Sequence, residues 1–410
     1  MNLKNSFSKS IAFGAIIVFS CIFPTYAADN PNVLQDVKVE VNSNIMKIQE
    51  RRLPSLYLGN LQKNYNLSEK LTLNVKDQGN TQMCWACSSN TVLETTVNLA
   101  NKTNHIFSHE ALANQVSNKY GISIDEGGNS YVAYGHYTSG EIPVNLKQEE
   151  VNVKIEDYII FSSVYKKLEG DTVKYQKSIE SDEQYVQDEV ETIRQSIKNH
   201  IMNYGAVTAL TYSDIKYFND NLQAYYCYSN GVYPNHQVTI VGWDDNYKKE
   251  NFMKENDKQK ILPKSDGAYI VLNSYGKDFG KDGLFYVSYD DAFIEYSNFG
   301  ITKTSSYEEE ENIYQYDELG MNNEIGFKAD AYAANVYTRK TQKLEVLSSI
   351  SFGSLENGEY EVYINPNNEE LDITKMKKVK EITTRKSRIY NSRNWPNNIT
   401  WRKICSSFKK

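Results

Sequence analysis

Cysteine is scarce in this chain: Cys21, Cys84, Cys87, Cys227 and Cys405 are spread over 410 residues, too few and too uneven to staple a protein of this size. Charge of one sign is scarce too. The formal net charge of -7 is modest and unclustered over most of the sequence, which excludes the basic footprint of a nucleic-acid binder. Long hydrophobic runs are confined to Ile11 to Phe23, too short for a comfortable membrane span, so no membrane span is expected. Internal repeats are absent as well. What remains, with 40% hydrophobic residues, is enough apolar material for one large domain and a smaller one, which excludes disorder throughout.

The start of the chain reads as an export signal. Lys4 and Lys9 form its basic end, Ile11 to Phe23 its apolar stretch, and Thr25-Tyr26-Ala27 its cleavage pattern, with the cut after Ala27. Removing Lys4 and Lys9 takes the net charge from -7 to -9 and places the mature protein outside the cytoplasm, secreted or at the cell surface. Residues 28–52 then read as a short pro-segment ending near Arg51-Arg52, before the helix-breaking Leu53-Pro54-Ser55.

From Cys84 onward, Trp85, Ala86, Val92, Leu93, Thr96, Val97 and Ala100 fall at helical spacing, so Cys84 stands in the first turn of a helix. A second helix is expected over Val186 to Tyr204, closed at Gly205. Strands are expected over Gly205 to Leu210, Gln237 to Trp243, Gly267 to Asn273 and Gly283 to Tyr289. Helices early and strands late make an α+β domain of two lobes. After the acidic run Glu308 to Glu311, short alternating segments such as Ala334 to Tyr337 and Tyr360 to Ile364 suggest a β domain. From Arg385 to the end there are bases and no acid, and the β texture is expected to stop near Thr384, leaving that domain incomplete.

The most specific words are Val75-Lys76-Asp77-Gln78-Gly79-Asn80-Thr81-Gln82-Met83-Cys84-Trp85-Ala86, then Asn235-His236-Gln237-Val238, then Val271-Leu272-Asn273-Ser274-Tyr275-Gly276. A thiol is mostly protonated at neutral pH, and a helix N-terminus with a neighbouring imidazolium is what stabilises its thiolate. An amide side chain can orient the imidazole without adding a competing charge. The order Gln, Cys, His, Asn, with Gln78 six positions before Cys84, resembles the papain-like cysteine proteases over roughly Leu53 to Gly300.

This resemblance implies a papain-like fold, with a helical left lobe and a β-rich right lobe, over 53–301. It implies Cys84 as nucleophile, His236 as base, Asn273 as its orienting partner and Gln78 as an oxyanion donor. Gly127 and Gly128 match the glycine pair that lines the family's substrate groove, and Ser108 and Leu112 fall where the family has its next helix. The implied substrates are proteins or peptides, cleaved through an acyl-enzyme thioester, with no cofactor and no metal ion. Residues 302–410 are similar to the lectin-like β-sandwich that follows such domains in bacterial surface proteases. A partial sandwich is expected there, with cell-surface proteins or glycans as its candidate partners.

The sequence departs from the plant and lysosomal pattern. Thr81 and Asp125 stand where a disulfide pair is usual, Tyr275 where a Trp is usual, and Cys87 where an aromatic is usual; the long pro-region is missing. Three other readings compete. One is an inactive papain-like binding protein, which the intact Gln78, Cys84, His236 and Asn273 oppose. Another is a thiol oxidoreductase using Cys84 and Cys87, which leaves Gln78, His236 and Asn273 unexplained. The last is a zinc site from Cys84, Cys87, His105 and His109, whose intervening stretch reads as helix. Cys87 itself reads as a small buried side chain, with a bridge to Cys84 as the competing idea.

Overall fold

The computed structural model describes the chain over 20–26, over 61–308 apart from 171, 180–181 and 255–260, and over most strand segments from 311 to 409. The expected pro-segment lies outside the described residues, as does the expected export signal except for Ser20–Tyr26. Two compact units divide the chain, one over 47–307 with 318–320, the other holding the remainder.

In the larger unit the helix that begins at Cys84 is the hub. This helix, α1, runs Cys84–Asn101 and is buried along almost its whole length. A helix enclosed on all sides has no solvated face, so every polar side chain on it needs a partner. Several find one on a different piece of chain, while Thr91 and Thr96 bond the Cys87 and Val92 carbonyls of α1 itself. Asn90 donates to the Ser108 carbonyl and accepts from Tyr137 Oη at 2.7 Å. Thr95 accepts the Ala206 N–H at 2.9 Å, and Asn98 holds His105 through both its N–H and its carbonyl. These bonds dock α2 (His109–Tyr120) and α3 (Ser130–Thr138) beside α1. Ser108 caps α2 by accepting the Ala111 N–H, and Asn129 caps α3 by accepting the Val132 N–H.

On the far side of α1 lies a mostly antiparallel sheet. Its strands follow the order Asn64–Asn66, His236–Asp244, Ala268–Leu272, Leu284–Ser288, Ala224–Tyr225 and Phe218–Asn219, with Val207–Thr211 also paired to His236–Asp244. The His236–Asp244 strand is buried on both faces, because α1 covers one and α4 (Gln187–Asn203) covers the other. Trp243, Tyr269, Phe293, Ile197 and Val207 lie in the core on that side. The expected strands and the helix after Val186 appear within a residue or two of their expected bounds.

The charged, tyrosine-rich stretch after Gly128 holds more than its composition suggested. It contains α3, the strand Lys154–Ile160 paired to Phe299–Ser305, and the hairpin Tyr165–Glu169 with Thr172–Gln176. Three of its charges, Lys154, Glu156 and Lys166, are buried. Lys166 and Arg194 both bond Glu295, at 2.9 and 2.7 Å, and Tyr269 Oη donates to the same carboxylate at 2.8 Å.

In the smaller unit, Ser20–Tyr26 pairs antiparallel with Glu311–Gln315 and with Ser349–Ser354. A four-stranded sheet has the order Tyr332–Thr338, Lys403–Lys409, Gly358–Asn365, Lys377–Thr384. The β structure therefore does not stop at Thr384: Arg388–Arg393 pairs with Ser349–Ser354, and Lys403–Lys409 lies between two other strands. Ile389, Tyr390, Ile404 and Phe408 supply the β-forming residues, and the many bases between them hide the pattern.

Candidate active site

Cys84 is the first residue of α1, and what precedes it matters. Met83 occupies the N-cap position and makes no side-chain cap, so the opening amide groups of the helix are not consumed by a capping oxygen. The N–H groups of Cys84, Trp85 and Gln237 face the sulfur and pull the thiol pKa down, against burial, which is the larger influence and pushes it up. Gln237 follows His236 in the chain, so the start of the His236–Asp244 strand lies beside the half-buried thiol.

That contact is held by polar bonds rather than by apolar packing alone. Ser88 Oγ donates to the Val238 carbonyl at 2.7 Å, and Thr239 Oγ1 donates to Ser88 Oγ at 2.9 Å. Gln237 Nε2 reaches Ser130 Oγ at 3.0 Å, and Ser130 Oγ in turn reaches Thr208 at 3.2 Å. Each net bond of this kind contributes about 1 kcal/mol, and leaving one partner unpaired costs about 1 to 3 kcal/mol. Their directionality fixes the slide of α1 along the strand, which apolar contacts would leave loose.

His236 begins its strand, opposite Thr211, and is 7% exposed. Its Nε2 lies 2.8 Å from Asn273 Oδ1, which also accepts the Ser274 N–H at 2.8 Å. The ring of Tyr275 stacks on the imidazole with centroids 4.8 Å apart and planes 21° from parallel. Phe279 meets Tyr275 edge-on at 5.5 Å. Tyr275, standing where a Trp is usual, thus covers one face of the imidazole with a flat aromatic ring. Burial pushes the His236 pKa down, and the Asn273 bond partly restores it.

Gln78 is brought to the same place by Ser274. Its N–H donates to the Ser274 carbonyl at 2.9 Å, and its Oε1 accepts from Ser274 Oγ at 2.6 Å. With Oε1 so held, Nε2 is turned the other way and gives one hydrogen to the Thr81 carbonyl at 2.6 Å. Its second hydrogen is available. Gly127 and Gly128 lie against the same loop. Gly127 has φ +79°, and a Cβ added to it would lie 3.6 Å from Gln82 Cβ, while a Cβ on Gly128 would stand 2.6 Å from the Trp85 ring. Only a residue without a side chain fits there.

The chain belongs to the papain family of cysteine proteases. The family's sequence pattern matches residues 62–309, and a lectin-like domain pattern matches 313–398. Among solved structures, the chain is similar to the clostridial cysteine protease Cwp84 after propeptide cleavage, with 25% identity, a TM-score of 0.66, and coverage of 84% of this chain and 83% of that one. It is also similar to the cysteine protease and lectin-like domains of Cwp84, a surface layer associated protein of Clostridium difficile, with 23% identity, a TM-score of 0.63, and coverage of 85% and 75%. No curated protein matches the sequence. The protein is a cysteine peptidase with an α+β papain-like fold followed by a lectin-like domain.

The other readings of its thiols find little in the papain-family scaffold. Cys87 is 1% exposed on the inner side of α1, and burial pushes its thiol far up, the opposite of what a redox-active cysteine needs. His105 stacks on Phe107 and takes its place through Asn98. Among the described residues no three His, Cys, Asp or Glu side chains gather as a metal site would require. Cys227 is buried in the core beside Asp291, and Cys84, Cys87 and Cys227 are all free thiols. What sequence reasoning did not name are the partners of Ser88 on α1, the Val238 carbonyl and Thr239 on the His236–Asp244 strand, which lie 150 and 151 residues further along the chain.

Proposed function

We propose that this peptidase is an exported endopeptidase that cleaves peptide bonds with Cys84 as nucleophile, His236 as base and acid, Asn273 as the orienting residue, and Gln78 as oxyanion donor. Export rests on the basic, apolar and small-residue pattern of residues 1–27, with a pro-segment over 28–52, the catalytic domain over 53–301 and the lectin-like domain over 302–410. The observation that carries the chemistry is the 2.8 Å bond from His236 Nε2 to Asn273 Oδ1. It leaves Nδ1 as the ring nitrogen for exchange with Cys84.

Burial opposes a charge on either group taken alone, pushing the thiol up and the imidazolium down. Moving the proton from Sγ to Nδ1 creates both charges together, so the pair stays net neutral while the amides at the start of α1 face the thiolate. The thiolate then attacks the peptide carbonyl carbon. The developing oxyanion takes the free hydrogen of Gln78 Nε2 and the Cys84 N–H, each typically worth about 3 to 4 kcal/mol. As the tetrahedral adduct collapses, the imidazolium protonates the departing amine and leaves a thioester on Cys84. Water, deprotonated by the same ring, attacks the thioester and releases the acid.

Gly127 and Gly128 bind the substrate backbone in this reading, since a missing side chain beside Trp85 and Gln82 lets an extended peptide approach. The lectin-like domain gives cell-surface proteins or glycans as the class of partner. The chemistry is tested with a thiol-reactive peptide epoxide: labelling maps to Cys84, is lost in Cys84→Ala, falls in His236→Ala, and abolishes peptide hydrolysis. Turnover by pure Cys84→Ala protein refutes it.

A further inference from the structure

Gln78, Cys84 and the His236–Asn273 pair reside on separate pieces of chain, and an oxyanion donor is useful only if it stays in register with the thiol. Between Leu73 and Met83 the chain forms no helix or strand that could supply that rigidity. What it has is Lys76. The ammonium of Lys76 lies 2.5 Å from Glu94 Oε1 and 2.9 Å from the Phe107 carbonyl, and Glu94 Oε1 also accepts the Phe107 N–H at 2.7 Å. The two side chains are 3% and 4% exposed. Glu94 stands ten residues beyond Cys84 on the same helix, about 15 Å along its axis.

Lys76 therefore fastens the strand of chain that carries Gln78 to the helix that carries Cys84. On its other edge the same segment is fastened to the loop after Asn273: the Lys76 carbonyl accepts the Gly276 N–H at 3.0 Å, and Gln78 takes both contacts from Ser274. A buried ion pair is a poor way to gain stability, since its desolvation offsets its attraction, but it is strongly directional when further bonds complete it.

We infer that Lys76 and Glu94 are positioning residues, a buried brace that holds the Gln78 amide in register with Cys84 for oxyanion stabilisation. The inference rests on the reading of Gln78 as oxyanion donor, and it separates the brace from the thiol chemistry. Peptide hydrolysis passes through an oxyanion. Alkylation of Cys84 by iodoacetamide does not, and so reports only the thiol and imidazole.

The experiment compares the full chain with Lys76→Met/Glu94→Leu, which replaces both charges by apolar groups and keeps the core filled, and with the isosteric Glu94→Gln. Each is made alone and in a Gln78→Ala background. The brace predicts that the double variant loses about 10-fold in kcat, part of the 100-fold or so that a lost oxyanion donor costs, with KM and the iodoacetamide rate within about twofold of wild type. In the Gln78→Ala background the same change costs nothing further. An equal loss in both backgrounds, a parallel fall in the alkylation rate, or an unchanged kcat in folded protein overturns the inference. Should the double variant not fold, Glu94→Gln is read by the same criteria with a smaller loss. If Gln78→Ala itself leaves kcat unchanged, the failure is that of the oxyanion assignment and not of the brace alone.

Discussion

Asn273→Ala removes the oxygen that accepts from His236 Nε2 at 2.8 Å and from the Ser274 N–H at 2.8 Å. A hydrogen bond to a charged partner contributes about 1.5 to 3 kcal/mol, which at about 1.4 kcal/mol per tenfold corresponds to a loss of roughly 10- to 150-fold in kcat/KM. Tyr275 remains stacked on the ring at 4.8 Å and keeps part of its orientation, so the expected loss lies at the lower end, about 10- to 40-fold. The pH profile is more discriminating than the rate. The Asn273 bond raises the His236 pKa against burial, so its removal lowers that pKa and moves the alkaline limb of kcat/KM to lower pH. Asn273→Asp keeps an acceptor for both donors and adds a negative charge, which favours the imidazolium, so its alkaline limb moves to higher pH. The assay is hydrolysis of a fluorogenic peptide by each variant across the pH range in which the wild type is active. If both variants keep the wild-type limb, or if Asn273→Ala loses less than about threefold, Asn273 does not orient the ring.

Gly128→Ala places a Cβ 2.6 Å from the Trp85 ring, so peptide hydrolysis falls more steeply than thermal stability; equal activity at saturating substrate with unchanged KM refutes the groove assignment. Cys87→Ala recovers from mild disulfide oxidation to the same extent and at the same rate as wild type on adding dithiothreitol, because the buried, protonated Cys87 thiol takes no part; slower or faster recovery revives a bridge to Cys84. Asp291 is pushed up to about 6 by burial, so its ionised form costs stability above that pH, and the cost is relieved as pH falls from 6 toward 4. Glu295 is held at about 2 by Arg194 and Lys166 despite its burial, so its contribution is present above the usual glutamate range and is lost as pH falls below about 4. Urea denaturation at pH 7, 5 and 3 checks both: stability rises from 7 to 5 and falls at 3, and Asp291→Asn removes the rise.

The local parts of this molecule were legible. The helix from Cys84 shows itself by apolar spacing, the strands after Gly205 by their β-branched runs, and the Gln78, Cys84, His236 and Asn273 words by their order. The stretch after Gly128 was not. Lys154, Glu156 and Lys166 are each under 4% exposed, yet in sequence they look like solvated charges, and they break the alternation that would have announced strands. Their meaning depends on residues far along the chain. Glu295 lies 101 residues beyond Arg194 on the sequence and 2.7 Å from it in the fold.

The same limit applies at the site, and there it separates identity from precision. Sequence words name the groups proposed to react, because each such group needs one residue type at one place. Register between the groups is set differently, by Ser88 on Val238, Thr239 on Ser88, Gln237 on Ser130 and Lys76 on Glu94. On α1 these positions look like faults in an amphipathic pattern: Ser88, Ser89, Asn90, Thr91, Glu94, Thr95, Thr96 and Asn98 are all buried, where an ordinary helix would carry apolar side chains. A buried polar group without a partner costs about 1 to 3 kcal/mol, so a run of them on one helix already implies that several other segments must meet it. Read that way, the polar face of α1 indicates that the Cys84 helix is held from several sides, although the segments that hold it can be named only once the fold is in view.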